Sequence, residues 1–191
     1  MHVFVTGGTG TIGSAVVAEL LGNGHTVLAL ARSDGSAQAL ETAGAKALRG
    51  ELADLDLLRS GAAQCDGVIS LAFGRDYGSP DALAQAIAEE SAALTVLGQE
   101  LIGSDRPIVT VSGTPWVPGR ASVEADPLPT DGPVGGRGRS VNALLDLASR
   151  GVRSTAVRMC PGTPLSAPPS TKLCAPQLRP RRCPARWPGG G

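Results

Sequence analysis

His2-Val3-Phe4-Val5-Thr6-Gly7-Gly8-Thr9-Gly10-Thr11-Ile12-Gly13-Ser14 stands almost at the start of the chain and decides how the rest is read. Its first five residues are a short apolar run that stops at glycine, as a buried strand does. From Thr11 to Asn23 the apolar residues fall at Ile12, Ala15, Val16, Leu20 and Leu21. That is helical spacing, and Gly22 and Gly24 end it. A strand, a glycine-rich turn and a helix therefore follow one another directly.

Each glycine in that turn has a physical use. Gly7 permits the tight exit from the strand, Gly10 lets backbone approach a ligand closely, and Gly13 lets the helix pack on the strand. The free N–H groups at the start of the helix attract phosphate. Three glycines at this spacing, between an apolar strand and an amphipathic helix, point to a site for the pyrophosphate of a dinucleotide.

The alternation continues outward. Strands are expected at Thr26–Ala31, Lys46–Arg49, Gly67–Ala72, Pro107–Ser112 and Ser154–Met159. Helices are expected at Ser36–Thr42, Leu55–Ala63, Pro80–Ile102 and Val141–Ser149. On the long Ala-rich segment Leu83, Ile87, Leu94, Leu97 and Leu101 share one face. Strands apolar on both faces, separated by helices, imply a parallel sheet covered on both sides. The fold class is α/β: a Rossmann-type doubly wound sheet of about six strands, in the order 3-2-1-4-5-6.

Composition agrees and excludes other classes. The 191 residues suit one domain. Aromatics are 3%, so Val, Leu, Ile and Ala must fill the core. Lys plus Arg and Asp plus Glu both number 17, which argues against a nucleic-acid binder. No apolar run is long enough for a membrane span, and no signal peptide is expected. One cysteine in the body, Cys65, fits a reducing cytoplasm.

The even charge hides two compositions. Residues 1–159 carry twelve basic and seventeen acidic groups, a net −5. Residues 160–191 carry five basic groups and no acid, together with eight of the fifteen prolines and three of the four cysteines. The first part is expected to be an NAD(P)-binding Rossmann domain. The second is expected to be a disordered or aberrant tail, such as an out-of-frame reading of GC-rich DNA would give. Cys160, Cys174 and Cys183 lack the close pairs of a zinc site, so no metal is expected.

The end of the second strand bears on the cofactor. An acid there would hold a ribose 2′-hydroxyl, but this chain has Ala31-Arg32-Ser33. Arg32 pairs well with a 2′-phosphate, and Ser33 can assist. The expectation is NADP, with NAD as the alternative, because Asp34 lies close by.

The run Val5–Ser14, followed by Asn23-Gly24-His25, resembles the extended short-chain dehydrogenase/reductase superfamily, in its NAD-dependent epimerase/dehydratase group. Gly50-Glu51-Leu52-Ala53-Asp54 resembles the segment whose acid and leucine, here Glu51 and Leu52, lie by the adenine. Asp66–Ala72 resembles the fourth strand, whose end, here Leu71, Ala72 and Phe73, lines the cofactor ribose. The resemblance covers residues 1 to about 159. It implies cofactor contacts at Thr6, Gly7, Gly10, Thr11, Ile12, Gly13, Arg32, Ser33, Glu51, Leu52, Leu71, Ala72 and Phe73.

The resemblance also implies a catalytic Tyr-x-x-x-Lys pair on the helix before the sixth strand, and a Ser or Thr after the fifth. The segment Arg137–Leu145 has neither tyrosine nor lysine. The chain's one tyrosine, Tyr77, has no lysine four residues on. Thr114 falls at the family's Ser/Thr position, with Ser112 as its neighbour; both are candidates to contact substrate. Arg137 and Arg139, near the absent tyrosine, read as solvated charges or as an anion site, the first being favoured. Atypical members of the superfamily lack the pair and still bind NAD(P).

Three readings follow. One is an NAD(P)-binding, epimerase/dehydratase-like oxidoreductase acting on an unknown small molecule. The second is a non-catalytic NADP(H) sensor. The third is a truncated, inactive product, since the family's smaller substrate domain is not recognisable. A homodimer through the helices flanking the fifth strand is implied by the resemblance alone.

Overall fold

His2–Thr6 forms strand β1, Thr26–Ala31 β2, Lys46–Arg49 β3, Gly67–Ser70 β4, Pro107–Gly113 β5 and Arg153–Met159 β6. Helices Thr11–Gly22 (α1), Asp34–Thr42 (α2), Leu55–Ala63 (α3), Pro80–Glu100 (α4) and Gly135–Asp146 (α5) connect them, and a 3-10 turn at Leu147–Arg150 follows α5. The computed structural model describes residues 1–74 and 78–159. Tyr77 and the expected tail at 160–191 lie outside the described residues.

All neighbouring strands are parallel, in the order β3-β2-β1-β4-β5-β6. The expected doubly wound sheet is the observed one. Alternation along the strands divides the core into two layers. Phe4, Leu28, Leu30, Val68 and Ile108 pack against Leu58 of α3, Leu94, Leu97 and Leu101 of the α4 end, and Leu144 of α5. On the other face Val3, Val5, Val27, Ala29 and Ala31 pack against Val17 of α1 and Ala37 and Leu40 of α2. Cys65 is buried in the first layer, and that burial pushes its thiol up to about 11.

Local chemistry sets the helix boundaries. Ser33 caps α2 through the Ser36 N–H, and Ser36 reciprocates with the Ser33 N–H, so the helix begins at Asp34. Ser79 caps α4 by accepting from the Ala82 N–H, with Pro80 in the first turn.

The largest difference from the sequence expectation is α5, which begins at Gly135 and not at Val141. Its early glycines discourage a helical reading, yet packing requires them. A Cβ at Gly138 would stand 2.0 Å from the Pro129 carbonyl oxygen, and one at Gly135 would stand 2.4 Å from that of Thr130. The incoming segment crosses the helix at backbone contact, and glycine alone leaves the space. Tertiary packing here overrides propensity. Among the described residues, no helix is long and apolar enough to cross a membrane.

Candidate functional site

A cleft of about 260 Å³ opens at the carboxyl ends of β1, β2 and β4. That is where open α/β sheets place ligands. Its floor is the glycine loop, through Gly7, Thr9 and Gly10. One side carries Leu30, Arg32 and Ser36 from β2 and α2, with Gly50, Glu51, Leu52 and Ala53 after β3. The other carries Leu71, Ala72, Phe73 and Gly74 after β4, with Glu89 from α4.

The loop is built as the sequence implies. Gly7 has φ +72°, and a Cβ there would lie 2.7 Å from the Ala72 nitrogen. A Cβ at Gly13 would lie 2.0 Å from the Gly7 carbonyl oxygen, so the first turn of α1 sits directly on the loop. At Gly10 a Cβ would meet only that same oxygen, at 3.2 Å, and the space in front of it holds no other protein atom within 4 Å. The start of α1 has no side-chain cap and no acid in its first turn. An uncapped helix start beside an open glycine cradle fits a phosphate group.

Thr6 is fully buried beneath the cleft and is not part of its lining. Its hydroxyl accepts from the Leu71 and Ala72 N–H groups, both at 3.3 Å, and meets Ser70 Oγ at 3.3 Å. It ties the end of β1 to the exit of β4. Thr11 and Ile12 stand with Gly13 in the first turn of α1.

At the β2 end Arg32 is exposed, lines the cleft and has no ion-pair partner among the described residues. Asp34 is held by Arg49 at 2.9 Å and does not line the cleft. The hydroxyls of Ser33 and Ser36 both serve the cap of α2; Ser36, whose Oγ also donates to the Ser33 carbonyl at 2.8 Å, is the one that lines the cleft. A serine just before the helix, Ser33, is the sequence signal of that N-cap.

Ser112 and Thr114 stand at the carboxyl end of β5, on the same edge of the sheet, outside the cleft lining. The Thr114 N–H donates to the Met159 carbonyl. The loop beyond them is anchored by Asp126, which is 7% exposed. Asp126 is paired with Arg120 and accepts from the Val123 N–H at 2.7 Å. Chiefly the Arg120 hydrogen bond, and then that N–H, hold its carboxyl down at about 2.

Arg137 corrects its sequence reading. It is not a solvated charge. Its Nε and Nη2 donate to the two carboxylate oxygens of Glu90, each at 2.7 Å. Glu90 is 4% exposed. The guanidinium carbon lies 4.2 Å from the centre of the Phe73 ring. A sequence signal existed for this: Glu90 falls on the apolar face of α4, three residues after Ile87 and four before Leu94, and a charge there requires a partner. α5 itself carries neither tyrosine nor lysine.

A wider depression of about 770 Å³ lies over α3, with Arg49, Asp54, Asp56 and Arg59 on its rim. Its charges are already engaged with one another or with Asp34 and backbone, so it offers a weaker site.

The NAD(P)H-binding family model matches residues 7–104, just over half of the chain. An uncharacterized protein of Schizosaccharomyces pombe, C2A9.02, is 37% identical over 163 residues, covering 84% of this chain and 54% of its own length. The uncharacterized protein YLL056C of Saccharomyces cerevisiae is 36% identical over 162 residues, covering 83% of this chain and 53% of its own. This chain thus spans about half the length of these curated relatives. Among solved structures, a UDP-glucose 4-epimerase of Stenotrophomonas maltophila with bound NAD shares the fold. It has a TM-score of 0.65 at 24% identity, over 83% of this chain and 52% of that one. Strand order, glycine loop and family match agree, and the chain belongs to the NAD(P)H-binding family, with the fold of the short-chain dehydrogenases and epimerases.

Proposed function

We propose that this chain is the NADP-binding domain of an epimerase/dehydratase-like oxidoreductase acting on a small molecule. The observation that carries the nucleotide choice is the pairing of Asp34 with Arg49 beside an Arg32 that lines the cleft and has no ion-pair partner among the described residues. A cation faces the position that a 2′-phosphate would take, and the nearby acid is engaged elsewhere. In this reading Gly7, Gly10, Thr11, Ile12 and Gly13 take the pyrophosphate, with Thr6 fixing the loop from below. Arg32 takes the 2′-phosphate at the start of α2, beside the helix start that the Ser33–Ser36 cap holds. Glu51 and Leu52 border the adenine, and Leu71, Ala72 and Phe73 the far ribose.

When bound, the reduced nicotinamide supplies a hydride to a carbonyl carbon. Thr114, or Ser112 beside it, orients the carbonyl oxygen by a hydrogen bond, and water supplies the proton. With neither tyrosine nor lysine on α5, such a site relies on orienting the reactants. The protein acts in the cytoplasm, and a homodimer is its proposed assembly. The test is NADPH oxidation followed at the nicotinamide absorbance, with a panel of aldehydes and ketones. Turnover that falls in Thr114→Val or Ser112→Ala supports the enzyme.

The absence of Tyr and Lys from α5 favours a second reading, a non-catalytic NADP(H) sensor. NADPH binding with no oxidation by any carbonyl selects it.

A further inference from the structure

We infer that Arg137, locked by Glu90, is a positioning residue that holds Phe73 as the wall for the half of the dinucleotide remote from the 2′-phosphate. The inference rests on the dinucleotide reading of the cleft. Its first support is topological. β2 and β4 flank β1 on opposite sides. Arg32, after β2, and Phe73, after β4, therefore lie on opposite sides of the glycine loop. A dinucleotide anchored at Arg32 and crossing that loop brings its other half to Phe73.

The second support is the construction behind Phe73. Arg137 enters from the first turns of α5 and Glu90 from the middle of α4. The two make a bidentate pair, with Glu90 almost wholly buried and the Arg137 side chain 26% exposed. Bidentate geometry leaves the guanidinium little freedom. Its carbon lies 4.2 Å from the Phe73 ring centre, well within the range of a cation–π contact. The next residue is equally confined: a Cβ at Gly74 would stand 2.5 Å from that of Ala86 on α4. Two helices thus hold Phe73 and Gly74, and the cleft gains a preorganised wall there. Preorganisation of this kind acts on affinity, since a wall already in place is not ordered at binding.

The test compares two probes by calorimetry on the full chain. NADPH spans the cleft, whereas adenosine 2′,5′-bisphosphate occupies only the Arg32 half. Arg137→Ala is expected to weaken NADPH about tenfold and to leave the bisphosphate within about twofold, the scale of one cation–π contact. Phe73→Ala is expected to do the same, and the double variant to bind no worse than Phe73→Ala alone. Arg137→Lys, which keeps a cation, is expected to recover part of the loss. If Arg137→Ala does not fold, Glu90→Gln with Arg137→Gln removes the cation without stranding a buried charge. Equal weakening of both probes, or additive losses in the double variant, overturns the proposal. A wild-type chain that binds both probes, with Arg137→Ala unchanged, overturns it alone. A wild-type chain that binds neither overturns the dinucleotide reading as well.

Discussion

Arg49 reaches from the end of β3 to hold Asp34 at 2.9 Å, in the first turn of α2. Two residues earlier, Arg32 is left facing the cleft. The sequence places a cation and an acid two residues apart after β2; Arg32 lines the cleft, and the exposed Asp34 pairs with Arg49 outside it.

Replacing Arg32 by Ala is expected to weaken NADPH about 10- to 100-fold, the scale of one charge-assisted hydrogen-bonding group. NADH binding is expected to change little. Arg49→Ala releases Asp34 and is expected to reduce the preference for NADPH only about two- to fivefold, because the pair it breaks is exposed. Titrations of each variant with both nucleotides check this.

Gly13→Ala drives a methyl group into the Gly7 carbonyl oxygen. The expected loss is about 1–3 kcal/mol in urea unfolding, together with loss of dinucleotide binding, as overpacking against backbone requires. Gly138→Ala meets the Pro129 carbonyl at the same short distance. It is expected to lose comparable stability while the glycine loop remains intact.

Thr6→Val keeps the shape of the side chain and removes the acceptor for the Leu71 and Ala72 N–H groups. The expected loss is about 1–3 kcal/mol, with weaker NADPH binding, because the β1 and β4 ends are no longer tied. Unchanged stability would show that water replaces the hydroxyl.

The loop carrying Asp126 responds to acid. The native carboxyl titrates at about 2, below its ordinary 3.8, chiefly through the Arg120 hydrogen bond. Its stabilisation is complete above the ordinary value and is lost as pH falls from there through about 2. Asp126→Asn is expected to remove that part of the acid dependence in a thermal-melt series against pH.

Much of this was legible in the sequence, for reasons of period. β1 and β2 are apolar runs, α1 and α4 carry helical stripes, and the glycine loop lies between the right elements. What was not legible depends on distant partners. The early glycines of α5 resemble a loop until the Leu128–Thr130 segment is seen lying across them. Arg137 resembles a surface charge until Glu90, forty-seven positions away, is seen beneath it. Ser33 and Ser36 cap α2 reciprocally, and only the fold shows this and which of them lines the cleft.

The central claim is that the cleft over Gly7 and Gly10 holds NADP, and calorimetric titration with NADPH and NADH tests it most directly. Saturable NADPH binding at one site, at least about tenfold tighter than NADH and abolished by Gly13→Ala, is the predicted result. Binding of neither nucleotide, or NADH preferred over NADPH with Arg32 intact, would contradict it.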